Sequence, residues 1–430
     1  MEFMSIQEAI KQGKGTVNIR GWVYRERGSS NIKFIVLRDV TNIIQCVIEK
    51  NVVGKEKFKI ADKLHVEASV TLTGEIKEEK RAPTGYEVHI KDFEVVGESH
   101  DFPITKDQSP EFLLDNRHLW LRSRKLAAVM KVRHTVLQGF REFYMNQGFY
   151  EMPPPILQPL QCEGGSTLFE VKYYADKMYL SQSWQLYAEA AIFSLEKVFC
   201  ASPCFRAEKS KTSRHLSEFI MAEAEAAWWK LPELLDSIEG CILYIVEKVL
   251  KDNQIELKML GQNIEKLKKI TKPLPRITYT EALKILKEKE NMDVEWGKDL
   301  RTIEEDRLMK HFTKPVIITH YPKEIMAFYK PRDPKNPKTA LCVDALAPEG
   351  YGEIVGGSER SMDVDEMKKD LEKQGEDPKK YQWYFDLRRY GSVPHSGYGL
   401  GVERMVAWLC KLENIKDAIP FPRTMLRKFP

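Results

Sequence analysis

The sequence predicts an α+β protein in two parts, a small five-stranded β-barrel at the N-terminus and a larger body of sheet and helices after it. Three observations carry this. Between Val17 and Val96, five short runs of β-branched and aromatic residues are broken by turn residues, the spacing of a small barrel. From Gly97 to Asn116 the chain turns polar and holds Pro103 and Pro110, as a linker does. Beyond it, helical periodicity begins near Ser123, and a charge-rich and a glycine-rich segment later read as strands.

In order, the strands are VNIRGWVY, IKFIVLRD, IIQCVIEK, ASVTLTGEI and YEVHIKDFEVV. Residues 51 to 65, between the third and the fourth, read as a helix. A five-stranded oligonucleotide-binding barrel carries a helix there, though a small β domain of another kind fits the composition equally. The expected units are residues 1–97, a linker over 98–116 and a second domain over 117–430. Within that domain, Pro153, Pro154 and Pro155 cannot sit in a central strand, so 149–157 is extended at an edge or an interface. Residues 230–340 are helical and lysine-rich, show no evident chemistry and read as an insertion.

With 67 basic and 63 acidic residues the formal charge is +4, which permits a nucleic-acid partner without requiring one. The seven cysteines are irregularly placed, and the close pair Cys200 and Cys204 has no second Cys or His pair to complete a zinc site. They read as reduced thiols. No N-terminal signal pattern and no run of eighteen apolar residues occurs, so the expectation is a cytoplasmic protein with no membrane span.

Three constellations carry chemistry. In CFRAEKSKTSRHLSEFIMAEAEAAW (204–228), Arg206 and Glu208 alternate, as do Phe219, Met221, Glu223 and Glu225, with 209–217 as the loop of an antiparallel hairpin. Such a row of charge on a strand flanked by apolar runs is either a solvated face or a binding face. In HSGYGLGVERMVAW, Gly397, Gly399 and Gly401 alternate along a strand and leave room for a flat group on the backbone. Arg404 follows in the first turn of a helix, where a cation needs an anion to meet it. In VDALAPEGYGEIVGGSERSMD, Asp344 and Glu353 flank a turn and suit Mg²⁺ if phosphates complete the shell, or are ordinary loop acids.

Together these segments resemble the three signature motifs of class II aminoacyl-tRNA synthetases, across nearly the whole chain. EMPPPIL is similar to the family's dimer-interface motif, FRAE with its loop to the second motif, and GLGVER to the third; the barrel is similar to the anticodon-binding module of the aspartate, asparagine and lysine subgroup. The resemblance implies an ATP-dependent ligase that forms an aminoacyl-adenylate, with ATP and Mg²⁺, working as a homodimer. It gives Arg206 the α-phosphate and Arg404 the γ-phosphate, with Phe219 and Arg404 around the adenine and Glu208 orienting the base. Arg214 and His215 reach the distal phosphates, Glu353 and Gly401 line the nucleotide site, and Asp344 with Glu353 holds the metal. Gly356 stands where a serine ligand is common. In the barrel, Phe34 and Gln45 take the positions that stack on and hydrogen-bond the anticodon's central uridine.

For the amino acid, the resemblance assigns Glu163 and Gln185 to the α-ammonium and Arg360 to the side chain, with Ser183, Glu223 and Glu225 on the pocket wall. Aspartate enzymes carry a lysine in the stretch where Ala188 stands here. An aspartate carboxylate would then have Arg360 alone while facing Glu223 or Glu225. An asparagine amide instead offers its oxygen to the arginine and its NH₂ to a carboxylate. The expectation is therefore activation of asparagine and charging of tRNA(Asn), with Glu223 the preferred amide acceptor. The alternatives are an aspartyl enzyme, including a non-discriminating one, a synthetase-like asparagine synthetase, which would lack the barrel, and a non-catalytic RNA-binding relative. Trp184 is larger than the residue the family pattern leads one to expect.

Overall fold

The computed structural model describes residues 2–163, 167–209 and 214–430. It divides into two compact units, Met1–Phe112 and Leu113–Pro430.

In the first unit, helix α1 (Ile6–Gln12) precedes strands β1 (Gly15–Gly28), β2 (Ile32–Arg38) and β3 (Ile43–Glu49), helix α2 (Lys55–Asp62), then β4 (Ser69–Glu78) and β5 (Tyr86–Gly97). The strands close into a barrel in the order β1-β2-β3-β5-β4. Alternation does the work. Ile35 and Leu37 of β2 point inward with Ile44, Cys46 and Ile48 of β3, all buried, while Phe34 and Gln45 stay partly exposed on the outer face. The helix expected between the third and fourth strands is present as α2, and Ser5 and Glu8 form a reciprocal cap at the start of α1.

A helix over Pro110–Asp115, inside the segment expected as linker, spans the boundary between the units. The elements of the second unit are α3 (Arg124–Met145), β6 (Tyr150–Glu151), α4 (Gln185–Leu195), β7 (Lys197–Phe205), β8 (Glu218–Ala227), α5 (Leu231–Asp252), β9 (Arg276–Thr278), α6 (Thr302–Met309), β10 (Val316–Thr319), β11 (Cys342–Ala347), β12 (Gly352–Glu359), α7 (Gln382–Arg389), β13 (His395–Gly401) and α8 (Val402–Leu409). Eight strands form one sheet in the order β9-β10-β11-β12-β13-β8-β7-β6, antiparallel except at its two ends, where β9 runs parallel to β10 and β6 to β7.

Core and site lie on opposite faces of β8. Ala222, Ala224 and Ala226 are small and buried against α3 and α5, whose Val132, Val136, Phe140, Ile238, Ile242 and Ile245 recur at helical spacing. Met221, Glu223 and Glu225 take the other face. Residues 230–340 are not a detachable helical insertion: α5 packs in this core, β9 and β10 extend the sheet, and side chains from this stretch reach the site. Lysines on α5 and on the helix over Tyr279–Glu290 are absent from the buried faces of these helices, and they hid the apolar stripes beneath.

Candidate active site

β7 and β8 form the expected antiparallel hairpin, with Cys204 opposite Phe219; loop residues 210–213 lie outside the described residues. Past the end of β7, Arg206 enters a cleft of ≈ 580 Å³ lined also by Glu208, Arg214, His215, Phe219, Glu353, Gly399, Gly401 and Arg404. The Arg206 guanidinium lies 5.5 Å from the centre of the Phe219 ring. Its Nε meets no hydrogen-bond acceptor among the described residues. Arg404, in the first turn of α8, donates to the Glu353 carbonyl at 2.7 Å and sits 3.3 Å from its carboxylate, so a carboxylate meets the cation that the helix N-terminus disfavours. Arg214 donates to Asp306 at 2.7 Å and to the Gly350 carbonyl, and His215 lies 3.4 Å from Glu208. Burial lowers the His215 pKa, with Arg404 and Arg206 adding to the effect against the Glu208 carboxylate.

Asp344 and Glu353 converge on Gly356, where a Cβ would stand 2.9 Å from Glu353 Oε1 and 3.5 Å from Asp344 Oδ1. Burial, and then Glu353, pushes Asp344 up to about 8; Glu305, on α6, is pushed up to about 7 by burial and Glu353 in the same way. Arg404 beside Glu353 and Lys330 near Asp344 offset part of this repulsion, and two converging carboxylates that still oppose each other fit a divalent cation. No group of three or more His, Cys, Asp or Glu side chains able to hold a metal forms among the described residues, so phosphate oxygens would have to complete the shell.

The second half of the site is closed and buried. Glu225 accepts from Arg360 twice, at 2.9 and 2.7 Å, and Arg360 also donates to Ser358. Gly397 makes this possible: a Cβ there would stand 1.9 Å from Glu225 Oε2. The glycine row thus clears space for β8's side chains as well, Gly397 for Glu225 and Gly399 for the Met221 methyl. Glu223 is elsewhere engaged. It accepts from the Ser183 hydroxyl at 2.5 Å and the Trp184 N–H at 3.0 Å, and burial pushes it up to about 7. Arg360 is therefore brought to Glu225, whereas Glu223, the carboxylate expected to accept the substrate amide, faces Ser183 and Trp184; the β8–β13 register sets Glu225 opposite Gly397 and Glu223 opposite Gly399. Glu163 accepts from the Tyr329 hydroxyl at 2.7 Å; burial would raise its carboxyl, but Arg206 and Lys330 hold it below the usual range.

Ser183 lies just before α4 and Gln185 opens it, so the two sit across a helix start. Gln185 consequently donates to Glu189 one turn on, at 3.0 Å. Trp184 is buried with Ala188, Ile192, Val198, Cys200 and Ala227 in an apolar cluster behind the pocket, which accounts for its size. Ala188 belongs to the same cluster, so the pocket's charge is set by other residues. Tyr329, Glu305, Glu189, Tyr384 and Arg388 were all missed from the sequence. Of these only Glu189, four positions after Gln185, carried a local signal.

A second face, on the barrel, holds Phe34 and Gln45. Phe34 is paired with Arg27 across β1 and with Val47 across β3, while Gln45 is paired with Val36, so the two are diagonal neighbours on one face. The Arg27 guanidinium lies 5.0 Å over the Phe34 ring, and Gln45 donates to Glu87 at 2.8 Å.

Residues 109–425 match the family model of tRNA synthetases class II (D, K and N), and residues 17–96 match that of the OB-fold nucleic acid binding domain. The chain belongs to the class II tRNA synthetases of this D, K and N group. This synthetase is 47% identical to the asparagine–tRNA ligase of Thermoplasma acidophilum over 414 residues, 96% of each chain. It is 49% identical to that of Thermococcus gammatolerans over 96% of each chain. The crystal structure of the Pyrococcus horikoshii asparaginyl-tRNA synthetase complexed with asparaginyl-adenylate superposes on it with a TM-score of 0.96, at 47% identity over 100% of both chains. No helix of the synthetase is long and apolar enough to cross a membrane among the described residues.

Proposed function

We propose that the protein is an asparagine–tRNA ligase that activates asparagine with ATP and transfers it to tRNA(Asn). Full-length likeness to asparagine–tRNA ligases and to an asparaginyl-adenylate complex supports it. Within the site, the observation that carries the substrate choice is the bidentate Arg360–Glu225 pair. It leaves the arginine's charge answered, so an amide can bridge the pair, its oxygen taking a donor from Arg360 and its NH₂ donating to Glu225. A carboxylate in the same place would face Glu225 with no free cation, a loss of a few kcal/mol. Glu225, rather than Glu223, is the amide acceptor in this reading, and Glu163 with Gln185 receives the α-ammonium.

In the first step an oxygen of the asparagine carboxylate attacks the α-phosphorus of ATP in line. An oxygen–phosphorus bond forms, the bond between the α-phosphorus and the oxygen bridging to the β-phosphorus breaks, and pyrophosphate leaves. The cost is charge repulsion and positioning, which cations answer without an acid–base side chain. Arg206 holds the α-phosphate, Arg404 the γ-phosphate, and Arg214 and His215 the distal oxygens; Phe219 stacks on the adenine, Glu208 orients it, and Gly401 gives it space. Asp344 and Glu353 would hold Mg²⁺, which when bound neutralises phosphate charge. In the second step a hydroxyl of the terminal ribose of tRNA attacks the adenylate carbonyl, and AMP leaves. Phe34 and Gln45 read the anticodon.

Two copies assemble through the extended edge at Tyr150–Leu157, where Tyr150, Ile156 and Leu157 are exposed. The seven thiols are buried and unpaired, in keeping with a cytoplasmic enzyme. ATP–pyrophosphate exchange tests the reading: asparagine should support exchange and aspartate far less. Equal exchange with aspartate would make this a non-discriminating aspartyl enzyme, and none with either would leave a binding protein.

A further inference from the structure

Behind the amide-reading pair lies a carboxylate that neither reaction step uses. Glu189, on α4, has no exposure to solvent. It accepts from Gln185 Nε2 at 3.0 Å, from the Tyr384 hydroxyl at 2.8 Å to each oxygen, and from Arg388 Nη2. Its Oε2 is 3.0 Å from His395 Nε2, and its Oε1 is 4.0 Å from Arg360 Nε. The His395 ring lies between two acceptors, with Val393's carbonyl 2.7 Å from Nδ1.

Arg388 is as buried as Glu189, its side chain 1% exposed, and its Nη1 meets no acceptor among the described residues. A buried arginine with a donor in reserve is the kind of group that would answer a substrate carboxylate. What keeps it from doing so is the carboxylate it already faces. Arg360, between Glu225 on one side and Glu189 on the other, is restrained in the same way.

We infer that Glu189 is a specificity-determining residue: by occupying Arg388 and the rear of Arg360, it removes the cations that would favour aspartate and so keeps the pocket selective for the neutral amide. It is a positioning residue, acting through Arg360 and Gln185 rather than on substrate. The inference rests on the asparagine reading above.

Removing the charge while keeping the shape is the direct test. Glu189→Gln should lower the preference for asparagine over aspartate in ATP–pyrophosphate exchange by about tenfold or more, because one buried positive charge is released toward the side-chain site. The double variant Glu189→Gln with Arg388→Gln should restore much of the preference, which a merely structural role would not do. If Glu189→Gln does not fold, Arg388→Gln alone decides, since removing a cation while Glu189 remains should raise the preference. A preference unmoved by Glu189→Gln, or by Arg388→Gln where that variant stands in, overturns the role. A wild-type enzyme that does not prefer asparagine overturns the substrate reading instead.

Discussion

Glu223 and Glu225 are two residues apart on one strand face, yet one lies beneath the Ser183–Trp184 backbone and the other against a guanidinium. The environments push their chemistry apart. Glu223 has only neutral donors in contact, with Glu163 opposing its charge and Arg206 favouring it, so burial dominates and pushes it up to about 7. A pKa raised above the unfolded value of 4.5 contributes stability that is complete below 4.5 and is lost as pH rises through about 7. Denaturant unfolding of the ligand-free protein should therefore show a fall between pH 5 and 7.5 that is flattened in Glu223→Gln, by on the order of 3 kcal/mol at most. An identical slope in the variant would mean that Glu223 is ionised throughout. Trp184 makes a complementary point about size. Trp184→Ala should cost about 3–5 kcal/mol in the same measurement, as a large side chain leaving a closed apolar cluster does.

At the scale of the element, the register between β8 and β13 is what builds the amino-acid pocket. Gly397 opposite Glu225 is the tightest point, with the Ala224 carbonyl also 2.5 Å from the place of a Cβ. Gly397→Ala must move either the strand or the Glu225 carboxylate. Overpacking of this kind costs about 1–3 kcal/mol, and the Arg360 pair should loosen with it. The expected outcome is a KM for asparagine raised at least tenfold with the KM for ATP little changed, measured by exchange kinetics. On the barrel, the β1–β2–β3 face presents Phe34 beneath Arg27. Phe34→Ala should weaken tRNA charging about tenfold or more while leaving exchange intact, since stacking is worth about 1–3 kcal/mol per base. Equal loss of both activities would assign Phe34 to folding rather than to RNA.

For the whole molecule, the β6 end of the large sheet leaves apolar side chains uncovered. β6 is a two-residue strand followed by the proline run, so β7's neighbour ends early and Tyr150, Ile156 and Leu157 stay exposed, at 59%, 42% and 37%. A second copy placed on this edge would bury them. Light scattering at micromolar concentration should give a mass near twice 50.0 kDa, and Ile156→Asp with Leu157→Asp should shift it toward the monomer. A wild-type monomer would remove the interface from the proposal.

Much of the architecture was legible because it is local. Alternation in the five barrel runs, the alternating charges of 218–225 and the switch from glycine strand to helix at Gly401 each depend on residues a few positions apart, and the structure has β1–β5, β8, β13 and α8 there. What the sequence could not determine depends on pairing over long separations. It was the β8–β13 register, not strand alternation, that brought Arg360 to Glu225, since alternation leaves Glu223 and Glu225 equivalent. Lysines away from the buried faces disguised 230–340 as an insertion, although only tertiary packing shows that its buried stripe completes the core and that Tyr329 and Glu305 reach the site. Gln185 and Glu189 were within one helical turn, but Tyr384 and Arg388 come from almost 200 residues away, a separation of 195 and 199. A buried charge shows its purpose only through its partners, and the fold alone supplies them.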